Sequence, residues 1–232
     1  MSGPLQGRVA LVTGASRGVG AAIARSLAEA GADLVLTSTQ QGGVREAAEA
    51  AERLGRRVLR LHGDVSRRED VDAWTAEVKS VFGRVDVLIN NAGIVVRRPV
   101  AEMSDDDFDR VLAVNLSGPF YLVRRLLPGM VERGWGRIVN VSSISGTLGS
   151  PRTCGYNASK WGLNGLTKSL AEELKGTGVT VTAVLPGSID TDMLKGSGFD
   201  PAMTADEVAR LVRFLCVEAP PAMTGSLVEM FG

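Results

Sequence analysis

The sequence predicts an α/β fold: a doubly wound parallel sheet of three layers, α/β/α, in a single domain of 232 residues. Three observations predict it. Short apolar runs alternate with longer helical patterns along the whole chain, the mark of repeated β-α-β units. A glycine-rich turn stands between the first apolar run and the first helix. No linker, low-complexity tract or internal repeat divides the chain, and its length suits one core.

The elements follow in order. Residues 9–13, Val-Ala-Leu-Val-Thr, read as a buried strand, because a continuous apolar run has no polar face to turn to water. Residues 18–30 read as a helix stopped by Gly31. Residues 34–37 form the second strand, and 44–54 a helix stopped by Gly55. Residues 58–61 form the third strand, followed by a helix over 68–82. Further strands are expected at 85–89, 137–141 and 179–185, with long helices over 105–133 and 156–175. A last helix, 205–217, leads to a short strand at 227–230. Crossovers of one hand place helices on both faces of such a sheet.

Composition narrows the function. Lys plus Arg and Asp plus Glu are 26 each, so the formal charge is zero, and the basic residues are spread out. No electrostatic case for nucleic acid or an anionic membrane exists. Aromatic content is 5%, which also argues against base-stacking surfaces. Cys154 and Cys216 are the only cysteines. They form neither a metal-ligand spacing nor a disulfide framework, so no metal is expected and a reducing cytoplasm is the expected setting. No run approaches the roughly 20 apolar residues of a membrane span, and residues 1–8 carry no signal-peptide pattern.

The first half of the chain reads as a nucleotide site. After the first strand comes Thr13-Gly14-Ala15-Ser16-Arg17-Gly18-Val19-Gly20. Its glycines let the turn bend and let backbone amides approach a pyrophosphate, with the next helix pointing its positive end at that charge. At the end of the second strand, NAD-binding sites usually place an acid on the ribose 2′-hydroxyl. Here Thr37-Ser38-Thr39-Gln40 holds none, which permits the 2′-phosphate of NADP. Arg17 is positioned in sequence to fork that phosphate; an unpartnered loop arginine is the plain alternative. Asp64-Val65 follows the third strand, where the carboxylate either accepts from an adenine amine or caps the next helix with Ser66. Asn90-Asn91-Ala92-Gly93 ends the fourth strand, small enough for a nucleoside, although the asparagines equally suit neighbouring backbone. His62, the only histidine, reads as structural.

The second half carries the chemistry. Tyr156 and Lys160 are four residues apart in a helical pattern, on one face and one turn apart. An ammonium beside a phenol favours the phenolate, so the tyrosine is expected to titrate below its usual value of about 10. Such a phenol exchanges a proton with a carbonyl or alcohol oxygen. Ser142, Ser143 and Ser145, near the end of the fifth strand, compete to hold that oxygen. Asn115 precedes Leu116-Ser117-Gly118-Pro119, a step that disturbs the helix and leaves a carbonyl free for water. Cys154 lies on the approach to Tyr156.

Together these pieces resemble the classical short-chain dehydrogenase/reductase family, from about Gly7 to Glu229, with a Rossmann-type fold. Pro186-Gly187-Ser188-Ile189-Asp190-Thr191 is part of the likeness. Family spacing selects Ser143, and the likeness implies a tetrad of Asn115, Ser143, Tyr156 and Lys160. In it Tyr156 acts as general acid, Ser143 polarises the carbonyl, Lys160 tunes the phenol and binds the nicotinamide ribose, and Asn115 holds a relay water. Ile189 and Thr191 approach the carboxamide. The resulting cofactor-binding set is Gly14, Ser16, Arg17, Gly18, Val19, Gly20, Ser38, Thr39, Asp64, Val65, Asn91, Ala92, Gly93, Tyr156, Lys160, Pro186, Gly187, Ile189 and Thr191. The implied activity is hydride transfer from NADP(H), with NAD(H) as the alternative, to a small-molecule ketone. Other readings are an alcohol or sugar dehydrogenase using NAD, or a non-catalytic nucleotide sensor.

Within the family the look is nearest to the 3-oxoacyl-acyl-carrier-protein reductases. The substrate-covering lobe, residues 192–204, is shorter than usual, and the ending Val228-Glu229-Met230-Phe231-Gly232 lacks the common Asp-Gly-Gly. The resemblance also implies a homo-oligomer, a tetramer or dimer. Trp161, bulkier than the family's small residue, either enters that interface or covers the core.

Overall fold

The computed structural model describes residues 3–232. Seven parallel strands form one sheet in the order β3-β2-β1-β4-β5-β6-β7. In chain order they are β1 (Val9–Val12), β2 (Asp33–Ser38), β3 (Val58–His62), β4 (Val87–Asn90), β5 (Gly136–Val141), β6 (Val179–Pro186) and β7 (Leu227–Met230). The helices are α1 (Gly18–Glu29), α2 (Arg45–Arg53), α3 (Arg68–Val81), α4 (Asp105–Leu112), α5 (Gly118–Glu132), α6 (Cys154–Glu173) and α7 (Ala205–Val217).

Side chains alternate across each strand, so one sheet feeds two cores. Ala10 and Val12 of β1 join Ile23, Leu27, Ala48 and Val212 from α1, α2 and α7. Val9 and Leu11 join Trp74, Leu122 and Leu170 from α3, α5 and α6. Leu11, Ile23, Leu36 and Leu122 are fully enclosed. Truncating any one to alanine costs about 2–5 kcal/mol.

The strand order reverses between β1 and β4, which pair in register Ala10↔Val87 to Val12↔Ile89. A crevice at such a reversal, beyond the carboxyl ends of the strands, is where doubly wound folds bind ligands. The loops leaving β1 and β4 flank it.

One expected helix is broken. The pattern over 105–133 is two helices joined by a π-helical turn, Ala113–Ser117. Pro119 has no N–H to offer the carbonyl four residues back, which belongs to Asn115. The ladder therefore widens at that point, and Gly118 packs so tightly on Val65 that a Cβ would come within 2.9 Å of its methyls.

Candidate active site

Gly14 sits at φ +63°, where a Cβ would meet the Ala92 Cα at 2.9 Å. A Cβ on Gly20 would meet the Gly14 carbonyl oxygen at 2.2 Å. These positions accept only glycine, because the turn folds onto the first turn of α1 and the exit of β4. Arg17, the N-cap of α1, makes no side-chain capping bond, and the first turn carries no acid. The helix thus presents its N–H groups and positive end to the turn without a competing carboxylate, a cradle that fits a pyrophosphate. Ser16 and Val19 are half-buried in this turn.

Thr13, to which the sequence assigned no role, ties the two flanking loops. Its Oγ1 accepts from the N–H of Asn91 (3.0 Å) and of Ala92 (2.9 Å). Asn91 Nδ2 in turn donates to the carbonyls of Thr13 (2.8 Å) and Gly14 (3.1 Å). The side chain of Asn91 therefore braces the turn. Asn90 donates to Asn140 across the β4–β5 pair (2.8 Å), and Asn140 to Thr167 (2.8 Å). The only sequence signal for Thr13 is its place just before Gly14.

Several expected nucleotide contacts have partners of their own. Arg17 Nε lies 3.4 Å from Asp192, both side chains more than half exposed, so the guanidinium expected to meet a 2′-phosphate already has a carboxylate partner. Ser38 is buried, and its Oγ accepts from the Gln40 N–H (3.0 Å). The Thr39 carbonyl lies 3.2 Å from His62 Nε2. Asp64 accepts from the Ser66 N–H (2.9 Å) and hydroxyl (2.7 Å) and pairs with Arg110. Burial alone would raise the Asp64 carboxyl, but the Arg110 and Ser66 bonds outweigh it and hold it below its ordinary value. Both oxygens are engaged, in a turn ahead of α3 rather than as its cap, since the N-cap of α3 is Arg67 and carries no side-chain capping bond. Val65 is buried against Gly118.

Tyr156 and Lys160 lie on α6 with the Lys160 Nζ 5.6 Å from the tyrosine ring centroid. The ammonium donates to the carbonyl of Val141, the last residue of β5, at 2.8 Å. A Cβ on Gly93 would lie 3.4 Å from Asn115 Oδ1 and 3.7 Å from Lys160 Nζ, so the β4 exit meets both side chains. Asn115 is clamped to Ile94, accepting its N–H and donating to its carbonyl, each at 2.9 Å. It also donates to Ser159 Oγ (3.0 Å), which donates to the Tyr156 carbonyl (2.7 Å). Ser159 was missed in the sequence, although it stands directly before Lys160.

Ser143 Oγ donates weakly to the Pro186 carbonyl (3.4 Å) and accepts from the Ser145 N–H (3.1 Å). Ser142 instead faces the Lys160 carbonyl at 3.4 Å and is buried. Beyond Pro186, the Gly187 N–H donates to the Met230 carbonyl (2.8 Å), and Ile189 bridges Met203. A Cβ on Gly18 would lie 3.2 Å from the Thr191 methyl, so this loop closes over the glycine-rich turn. Cys154 is exposed, its Sγ 3.5 Å from Met103 Sδ. Among the described residues no cluster of three or more His, Cys, Asp or Glu is arranged to hold a metal.

One expectation is corrected. Burial pushes the Tyr156 phenol above its ordinary value, and the Ser143 hydroxyl and the Arg97 charge only partly offset it. Burial also pulls the Lys160 amine down to about 8, so the cation is weakened by the enclosure that was to focus it. The phenol, protonated at neutral pH even at its ordinary value of about 10, is moved further from the tyrosinate.

A crevice with a glycine cradle at one end and a Ser–Tyr–Lys group at the other is an oxidoreductase layout. A family model of the short chain dehydrogenases matches residues 8–201, and the chain belongs to that family. The 3-oxoacyl-(acyl-carrier-protein) reductase of Aquifex aeolicus is 37% identical over 243 residues, covering 98% of this chain and 97% of the relative. The reductase of the same name from Vibrio harveyi is 38% identical over 240 residues, with the same coverage. A solved structure from Sinorhizobium meliloti, described as a short-chain alcohol dehydrogenase, matches with a TM-score of 0.92 at 33% identity, covering 98% of this chain and 96% of that one. The family resemblance and the Rossmann-type fold read from the sequence are both borne out.

Proposed function

We propose that the protein reduces a ketone of the 3-oxoacyl type to the alcohol, using NADP(H). The observation that carries the reading is the Tyr156–Lys160 pair at the crevice, Lys160 buried and Tyr156 half-buried, with the ammonium 5.6 Å from the ring centroid. When bound, the nicotinamide cofactor supplies hydride to the carbonyl carbon. Ser143, whose present partner at 3.4 Å is weak, donates to the carbonyl oxygen and orients it. Tyr156 gives its proton to the same oxygen as negative charge builds there. Lys160, held by Val141, keeps a positive charge beside the phenol and stabilises the tyrosinate that is left. Asn115 fixes the β4 exit through Ile94, which sets the distance between cradle and tetrad.

The glycine cradle and the absence of an acid in Thr37–Gln40 support the dinucleotide and its NADP form. The Arg17–Asp192 pair favours a second reading, NAD(H) with an alcohol or sugar substrate, because it occupies the charge a 2′-phosphate would need. Both readings take a small-molecule substrate. Assembly into a homo-oligomer, dimer or tetramer, is supported by Trp161, 54% exposed on α6. The test is a steady-state comparison of NADPH and NADH across acyl thioesters, cyclic ketones, aryl ketones and the matching alcohols. A higher kcat/KM with NADPH and a 3-oxo compound supports the proposal. A higher value with NAD and an alcohol overturns it, and cofactor binding with no turnover of any compound favours a sensor.

A further inference from the structure

We propose that Arg97 selects the substrate, and that the substrate is an oxo acid whose free carboxylate lies within a few bonds of the carbonyl that is reduced. This rests on the reading of Tyr156 as proton donor and deepens it.

Arg97 stands where three segments meet. Its own segment leaves β4 and is clamped at Ile94 by Asn115. Its Nη2 donates to the Met193 carbonyl at 2.8 Å, in the short helical turn Asp192–Leu194. The next residue, Arg98, donates its N–H to the Arg152 carbonyl at 2.8 Å, in the loop that enters α6 just before Tyr156. Arg152 is held at φ +65°, the only non-glycine residue with positive φ among those described. The segments carrying the proton donor, the lid and the β4 exit therefore converge on one half-buried guanidinium. Its charge is felt at the Tyr156 phenol.

That guanidinium is not neutralised by its surroundings. The bond to Met193 is its only side-chain hydrogen bond among the described residues, and it has no carboxylate within ion-pair distance there. A guanidinium carries five N–H donors, so most remain available. The neighbouring acids are committed elsewhere: Asp192 to Lys195 and Arg17, and Asp107 to Arg98 at 3.6 Å. Because the chain as a whole has zero formal charge, an uncompensated cation at the mouth is not a by-product of basic composition.

A planar fork whose charge reaches the proton donor matches a carboxylate bidentately. A 3-oxoacyl group joined to a carrier has no charge at that distance, since any phosphate on a carrier arm lies many bonds away. The reaction balances simply. A C–H bond forms at the carbonyl carbon from the hydride of the reduced nicotinamide cofactor, which is oxidised. The oxygen takes the Tyr156 proton, and the carboxylate passes through unchanged to give a hydroxy acid.

The experiment compares 2-oxo and 3-oxo acids of four to eight carbons with their methyl esters, matched in shape but uncharged, on the whole chain with saturating cofactor. For at least one pair, wild-type kcat/KM for the acid should exceed that for the ester by on the order of ten- to hundredfold, the range for a charge-assisted bond. Arg97→Gln should bring that ratio close to one, through KM, and Arg97→Lys should restore part of it. Calorimetry adds a readout without turnover: the product hydroxy acid should bind more tightly than its ester, and Arg97→Gln should erase the difference. Wild-type protein that handles every ester as well as its acid, or Arg97→Gln lowering acid and ester alike, overturns the proposal. If no carbonyl is reduced and Tyr156→Phe changes nothing, the reductase reading falls, and the calorimetric comparison still decides the role of Arg97.

Discussion

Tyr156 and Lys160 owe their behaviour to enclosure more than to each other. Burial disfavours the tyrosinate, so the phenol parts with its proton only to an oxygen that is gaining negative charge. Tyr156→Phe removes the proton and leaves the ring. Turnover should fall by about 10²–10⁴; stopped assays within tenfold of wild type would remove Tyr156 from the chemistry. Lys160 titrates at about 8 in the folded protein against an ordinary 10.5. Between these values the unfolded chain holds a proton that the folded chain has released, so this group's contribution to stability rises with pH across that window. Below it the full cost of burying the charge is present, roughly 3 kcal/mol from the difference in pKa. Lys160→Met should thus raise the melting temperature at pH 7, and the gain over wild type should shrink from pH 8 to 10.5. A gain independent of pH would mean that the amine is not buried as a cation.

At the scale of elements, the site depends on three interruptions of regular structure. The β1–α1 turn bends because Gly14 and Gly20 leave room for backbone alone. The π turn Ala113–Ser117 delivers Asn115 to Ile94, and it exists because Pro119 withholds a donor. The lid turn Asp192–Leu194 is tied to the first interruption through Asp192 and Arg17. An exposed pair of this kind is screened by water and worth little. Asp192→Asn should free Arg17 and raise the NADPH-to-NADH ratio of kcat/KM by up to about fivefold, an effect that fades in high salt. A ratio that does not move, or moves toward NADH, would show that Asp192 does not compete for the arginine.

The whole molecule is one sheet between two apolar layers, closed at its edge by the last residues of the chain, with β7 paired to β6. That arrangement leaves Trp161 exposed on α6 rather than over the core. The homo-oligomer proposed above would bury this indole against a second copy. Trp161→Glu should convert an oligomer to a smaller species in sedimentation with the monomer fold intact by circular dichroism. An unchanged mass would place the contact elsewhere. No helix among the described residues is long and apolar enough to cross a membrane.

Much of this was legible in one dimension because it follows from local periodicity and backbone sterics. The apolar runs that became β1 to β7, the glycines that only a tight turn explains and the i, i+4 spacing of Tyr156 and Lys160 need no knowledge of distant contacts. The break inside 105–133 was half visible: Gly118-Pro119 signalled a disturbance, but that the π turn delivers Asn115 to Ile94, twenty-one residues away in sequence, needs the tertiary structure. Of the partners of Arg17 and Asp64, Asp192 and Arg110 were not visible, since each is a charge the fold brings near, whereas Ser38 meets only the Gln40 N–H two residues on.

The order of amino acids by itself determined the class of fold, the place of the crevice and the identity of the chemical groups around it. Tertiary structure alone decided their electrical state. Desolvation depends on how much of the molecule surrounds a side chain, and that enclosure raises the Tyr156 phenol and lowers the Lys160 amine.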